Sequence, residues 1–251
     1  MTLDVTTTDE TKAPRMVVYG VHGIGKTTFG ARLPNPVFLR TEDGMRGKTF
    51  EGVARLPLCE DFKTVVSQLQ QILVSEHDYK TLVIDSVDWL EQLIHANIAT
   101  MSNVDDISDI GYQAGYKSAA SRVMMVLNLL SEINRRRNIQ IVLLGHSEIK
   151  RYNSPDNEPY DRYGLALHKD AAPLVYEWAD VVLFVNYEMF TKKTGEKFGQ
   201  DTFQAKGQGV RVMYSEERPA YHAKNRYALP AEMPFDWDTL KNNMFNTKGK
   251  K

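Results

Sequence analysis

Residues 20–29 read GVHGIGKTTF. Gly20, Gly25, Lys26 and Thr27 satisfy the spacing G-x-x-x-x-G-K-[ST], the pattern of a loop that wraps phosphate. The stretch follows the apolar run MVVYG (16–20) and opens a helical pattern, so it sits where a strand turns into a helix. Glycines let the backbone curl until its N–H groups point at phosphate oxygens, and the helix N-terminus adds partial positive charge. On this reading Gly20, Val21, His22, Gly23, Ile24, Gly25, Lys26, Thr27 and Thr28 form a nucleotide cradle. Lys26 reaches the β- and γ-phosphates and the Thr27 hydroxyl ligates Mg²⁺. Such a loop specifies ATP or a related nucleotide and leaves its use open.

Four more short apolar runs lie downstream: PVFL (36–39), TLVID (81–85), IQIVLLG (139–145) and ADVVLFV (179–185). Continuous rather than alternating apolarity predicts strands covered on both faces. Helical patterns lie between them at 61–75, 87–100 and 113–137; in the last, Tyr116, Ala120, Val123, Leu127 and Leu130 make one stripe. Strand–helix alternation predicts an α/β fold with a mostly parallel sheet flanked by helices. After 185 the pattern changes. VNYEMFTKKTGEKFGQDTFQ reads as a hairpin turning at Lys-Thr-Gly, and the segment after it as an antiparallel extension of the same sheet. Asp85 ends TLVID, where a carboxylate can hold Mg²⁺. No N-K-x-D base-reading motif occurs, which disfavours GTP.

The chain has 251 residues, 42% hydrophobic and 25% charged, with a formal net charge of -1. One large domain fits that length, and no global positive field advertises nucleic acid. The single cysteine, Cys59, allows no internal disulfide and suits a reducing compartment, hence a cytoplasmic location. It is expected to pack near a strand end. No apolar run approaches the roughly 20 residues of a membrane span, so no membrane partner is expected. Residues 1–13 read as a disordered leader, 14–240 as one domain and 241–251 as a flexible basic tail.

Thr41-Glu42-Asp43-Gly44 ends the second strand. Glu42 is the candidate to activate an attacking water; an exposed turn carboxylate is the alternative, and Asp43 is better suited to turn chemistry. With this residue the chain resembles a family. GVHGIGKTTF, VFLRTEDG, TLVIDSVDWLE, IVLLGHS, EWADVVLF and AKNRYALP occur in the order seen in phage RecA-like core ATPases of the single-strand annealing group, across roughly 14–235. The resemblance implies a RecA-like ATPase core, ATP and Mg²⁺, self-assembly as a ring or filament, single-stranded DNA as partner, and a single-strand binding protein as a further candidate partner. A phage-encoded chain would work in the host cytoplasm. The resemblance matches Lys26 and Thr27 to the phosphate-loop pair, Asp85 to the Mg²⁺ acid, Glu42 to the catalytic glutamate and His146 to a γ-phosphate sensor; a hydrogen-bonded structural histidine is the alternative for His146.

Two loops face DNA in RecA-type folds. The first corresponds to 101–111, MSNVDDISDIG, with three aspartates and no cation, a departure from a phosphate-binding loop. The second corresponds to 147–168, where Lys150, Arg151, Tyr152 and Arg162 interleave cations with stacking surface. Glu148, Asp156, Glu158 and Asp161 offset those charges, so a mobile polar loop is the other reading. Arg135, Arg136 and Arg137 end a helix, where cations complement the dipole. Lys224 and Arg226 stand two apart on an expected strand and project together. They are candidates for trans-acting cations that complete a neighbour's active site; a strand-end pair solvated at the surface is the alternative. The leading expectation is an ATP-dependent single-stranded DNA annealing protein. The alternatives are another RecA-fold ring motor, a small-molecule kinase, and a nucleotide-gated binding module without productive hydrolysis.

Overall fold

The structure is a computed structural model and describes residues 12–153, 158–188, 190–197, 200–206 and 209–245. Most of the expected leader and the end of the expected tail lie outside the described residues. The chain runs β1 (Arg15–Gly20), α1 (Lys26–Ala31), β2 (Pro36–Arg40), β3 (Ala54–Arg55), α2 (Phe62–Val74), β4 (Thr81–Asp85), α3 (Val87–Ser102), α4 (Ala114–Arg137) and β5 (Gln140–Tyr152). It continues through β6 (Tyr160–Leu165), α5 (Ala172–Trp178), β7 (Val181–Tyr187), β8 (Phe190–Lys197), β9 (Gln200–Lys206), β10 (Arg211–Tyr214), β11 (Lys224–Asn225), β12 (Glu232–Pro234) and α6 (Trp237–Phe245).

The five apolar runs become β1, β2, β4, β5 and β7, all parallel neighbours. Each is buried on both faces because its side chains alternate between two cores. Val17, Tyr19, Val37, Leu39, Leu82, Ile84, Ile141, Leu143, Val182 and Phe184 face the helices α2, α3, α4 and α5. Met16, Val18, Phe38, Val83, Val142, Leu144, Leu183 and Val185 face the other way, toward Phe29 of α1 and Leu240 of α6. The helical stripe holds in part: Val123, Leu127 and Leu130 are buried, together with Ala119, Val126 and Ile133. Asn138 closes α4 in the left-handed region after three arginines.

The main sheet runs β12-β10-β7-β1-β5-β4-β2-β3. The His146 strand β5 therefore lies between the phosphate-loop strand β1 and the Asp85 strand β4. The antiparallel extension consists of β10 and β11 on β7 and β12 on β10. β8 and β9 form a separate two-stranded sheet, so the hairpin does not continue the main one. Its turn is not at Lys-Thr-Gly: those residues lie within β8, with a register shift between Lys193 and Gly195. The expected boundary at 240 is also moved. α6 runs to Phe245 because Leu240 and Met244 bury one face of it.

The segment 147–168 is not a mobile loop in its described part. β5 extends to Tyr152 and pairs with β6 from Ser147↔Leu165 to Tyr152↔Tyr160, making an antiparallel hairpin. Two of the three aspartates of 101–111 cap a short turn. Asp106 accepts from the Ser108 amide at 2.8 Å, and Asp109 from the Asp106 amide at 3.1 Å. Cys59 is buried; its amide donates to the carbonyl of Arg40, the last residue of β2, at 2.9 Å.

Candidate functional site

Parallel register decides what meets the loop. Gly20 stands opposite His146 on one side and Val185 on the other. Asp85 ends β4 opposite Arg40, so the next residues of β2, Thr41 and Glu42, arrive beside it; both amides donate to the Asp85 carbonyl, at 2.9 and 3.4 Å. The C-terminal ends of four adjacent strands thus bring Lys26, Thr27, Glu42, Asp85 and His146 to one place. Open α/β sheets bind ligands at that edge.

The loop has the glycines its path requires. Gly20 has no room for a side chain, since a Cβ would lie 2.1 Å from the Val185 carbonyl oxygen. Gly23 and Gly25 hold φ of +73° and +101°, values that disfavour any other residue. α1 spans only six residues. The loop amides and Lys26 therefore carry more of the positive field than the helix dipole does.

Lys26 is buried, and its Nζ donates to the carbonyls of Gly20 and Val21 at 3.0 and 3.1 Å. Burial pulls its pKa down, while the charges of Asp88, Asp85 and Glu42 pull the other way. Burial pushes Asp85 up, partly offset by a hydrogen bond from the Thr27 side chain. Glu42 is raised as well, by burial and then by the charge of Asp85. A threonine hydroxyl beside a buried carboxylate, next to an amide-rich loop, is an oxygen donor set of the kind Mg²⁺ accepts together with water and phosphate. The residues present therefore fit ATP with Mg²⁺.

His146 is held rather than free. Asp88, in the first turn of α3, accepts from its amide at 3.0 Å and lies 2.7 Å from its Nδ1. Burial alone would raise the Asp88 carboxyl, but bonding to His146 and its charge hold it below the ordinary range. The His22 ring stacks on His146 with centroids 3.9 Å apart. His22 is lowered by the charge of His146, then by burial and Lys26. Asp88 thus belongs to the site, though sequence reasoning passed over it. The available signal was an acid three residues after Asp85, on the opening turn of a helix.

Arg211 went unread too. It opens β10, yet its Nη1 donates to the Ile24 carbonyl at 3.2 Å, across 187 positions. No local pattern connects GVRV to the loop.

The other expected residues lie elsewhere. Arg162 is only 8% exposed. Its guanidinium is taken by Glu217 and by the carbonyls of Arg218 and Tyr221, at 3.1 and 2.9 Å. It is a structural cation, which removes it from the expected DNA contacts. Lys150 donates to the Leu167 carbonyl at 2.7 Å and pairs with Glu148; Arg151 pairs with Asp161; Tyr152 stays exposed.

Lys224 and Arg226 sit at the opposite end of the sheet, since Lys224 stands opposite Val182 near the start of β7. Lys224 Nζ donates to the Tyr176 and Glu177 carbonyls at 3.0 and 2.7 Å, closing the last turn of α5. Arg226 pairs with Asp180 at 3.1 Å. Within one chain neither reaches the phosphate loop.

Among solved structures, the chain is similar to the RadB recombinase at 13% identity, covering 81% of this chain and 88% of that one with a TM-score of 0.44. It is similar to a KaiC-like protein from Pyrococcus horikoshii at 13% identity, covering 81% and 78% with a TM-score of 0.44. A comparison with curated proteins returns no match. The model of a family described as an AAA domain matches residues 12–227. That span contains the phosphate loop, Glu42, Asp85, Asp88, His146 and Arg211, and so the chain belongs to the AAA domain family of P-loop proteins.

Proposed function

We propose that the protein is an Mg²⁺-dependent ATPase of recombinase-like architecture that self-assembles and acts on single-stranded DNA. One observation carries the ATPase reading: Lys26, Thr27, Asp85, Glu42 and His146 converge at the C-terminal edge of β1, β2, β4 and β5. The loop amides and Lys26 hold the β- and γ-phosphates, and Thr27 and Asp85 hold the metal. When bound, Mg²⁺ neutralises phosphate charge. The Glu42 carboxylate orients the attacking water and accepts its proton, a role that a carboxyl raised by burial suits. His146, fixed by Asp88 and stacked on His22, registers the γ-phosphate side of the loop. The acid limb of the pH–rate profile accordingly lies above the ordinary carboxylate range.

The DNA reading rests on the resemblance to single-strand annealing ATPases and on Arg151 and Tyr152, both exposed on the β5–β6 hairpin. Oligomers with composite active sites rest on the resemblance alone, because Lys224 and Arg226 would have to leave their present partners to serve a neighbour. Steady-state ATPase assays with and without single-stranded DNA, on the wild type and Lys26→Ala, test the proposal. The wild type is expected to hydrolyse ATP faster with DNA, and Lys26→Ala to lose turnover by at least about 10²-fold with strongly weakened ATP binding. Unchanged turnover in Lys26→Ala overturns the ATPase reading. Hydrolysis indifferent to DNA, with no DNA binding, overturns the second half alone.

A further inference from the structure

The loop edge contains a second cation in the same chain. Arg211 is exposed, and its Nη1 lies 2.5 Å from where a Cβ on Gly25 would be. The φ of +101° is what reserves position 25 for glycine, and the bare backbone there lets the guanidinium approach. The contact is with the loop itself, through the Ile24 carbonyl at 3.2 Å. β10 holds the residue firmly, since Arg211 faces Tyr187 of β7 and its carbonyl accepts from the Phe235 amide at 3.1 Å.

Arg211 has no carboxylate partner among the described residues, as is also true of Arg32, Arg55 and Arg122. What sets it apart is where it donates: Arg55 bonds the Met45 carbonyl and Arg122 the Met101 sulfur, whereas Arg211 bonds the phosphate loop. One hydrogen bond to a carbonyl uses one of the five N–H groups of a guanidinium. The residue is exposed beside a phosphate-binding loop, and a planar guanidinium with donors to spare suits phosphate oxygens.

We propose that Arg211 is a second, cis-acting phosphate clamp, which binds the polyphosphate of the nucleotide from the rim of the loop while Lys26 binds it from within. The inference rests on the nucleotide-site reading above and adds a residue to it. It supplies from the same subunit a positive charge that would otherwise have to come from a neighbour.

The test measures ATP, ADP and adenosine binding to the wild type, Arg211→Ala, Arg211→Lys and Arg211→Gln, with thermal midpoints of the ligand-free proteins. Arg211→Ala is expected to lose about tenfold in affinity for ATP and ADP and to bind adenosine unchanged, as befits a charge-assisted contact. Arg211→Lys keeps most of the affinity because it keeps the charge. Arg211→Gln behaves like Arg211→Ala, although its amide can still serve Ile24. ADP affinity within twofold of wild type in Arg211→Ala overturns the clamp and leaves the nucleotide site intact. Full affinity in Arg211→Gln overturns it too, because a bond to Ile24 then suffices. A wild type that binds no nucleotide overturns both readings. Should Arg211→Ala fail to fold, the Lys and Gln variants decide the matter.

Discussion

At the C-terminal ends of β1, β2, β4 and β5, Lys26 and Arg211 donate to loop carbonyls, while Glu42 and Asp85 are raised by burial. At the N-terminal ends the same residue types are arranged differently. Arg15 makes two side-chain bonds to Asp180, at 3.1 and 2.9 Å, and stacks over Trp178. Arg226 shares the same carboxylate and Lys224 closes α5. Burial would raise Asp180, but its bonds and the charges of Arg15 and Arg226 hold it low. At the second edge opposite charges meet each other and the result is stability. At the first edge only His146 and Asp88 meet directly; Lys26, Glu42 and Asp85 form no ion pair with one another among the described residues and keep capacity for a ligand. A buried carboxylate, Asp85, and a buried lysine, Lys26, without direct ion pairs cost free energy in the ligand-free protein, the pattern expected of the proposed nucleotide site.

The sharpest test of that contrast is Glu42→Gln. Turnover should fall by about 10²–10⁴-fold, the range of general-base catalysis, with ATP binding retained because the amide keeps the shape. The acid limb of the pH–rate profile should vanish with it. Normal hydrolysis would move the base elsewhere and remove the main distinction of the loop edge.

Glu91, one turn into α3, extends the contrast to stability. It is 3% exposed and accepts the His168 amide on both oxygens, at 2.9 and 3.1 Å. Burial pushes its pKa from 4.5 to about 7. A carboxyl raised in the folded state binds more protons there than in the unfolded chain. Its stabilising contribution is therefore complete below pH 4.5 and lost as pH rises toward 7. The loss is on the order of 3 kcal/mol at most. The thermal midpoint should fall between pH 5 and pH 8, and Glu91→Gln should flatten that slope. An unchanged slope would assign the pH dependence to other groups.

Arg226→Ala carries the smallest expected effect and the strongest power to break the comparison. Arg226 is half-exposed and Asp180 keeps Arg15, so the loss should stay below about 1 kcal/mol, with hydrolysis nearly unchanged. Collapse of turnover, recovered on mixing with Lys26→Ala, would show instead that the stable edge of one subunit completes the loop edge of the next.

Much of this was legible from local pattern. Five uninterrupted apolar runs announced strands buried on both faces, because only a doubly covered sheet leaves no polar side. The glycine spacing announced the loop, because left-handed backbone at 23 and 25 excludes other residues. Lys26, Thr27 and Asp85 followed, since each is tied to the end of an element. The hairpin turn at Lys-Thr-Gly was misplaced because turn chemistry also suits a register shift. Arg162 looked like a nucleic-acid contact because charge pattern carries no burial, and its partners lie more than 50 residues away.

What the sequence determined by itself was the element order, the mostly parallel α/β class and the phosphate loop, all consequences of interactions within about ten residues. Only the tertiary structure decided that β5 lies between β1 and β4, that Asp88 holds His146 against His22, that Arg211 rests on Gly25, and that Lys224 and Arg226 close the far end. Those are pairings between distant segments. They are chosen by strand order and register, and neither is written in the spacing of neighbouring residues.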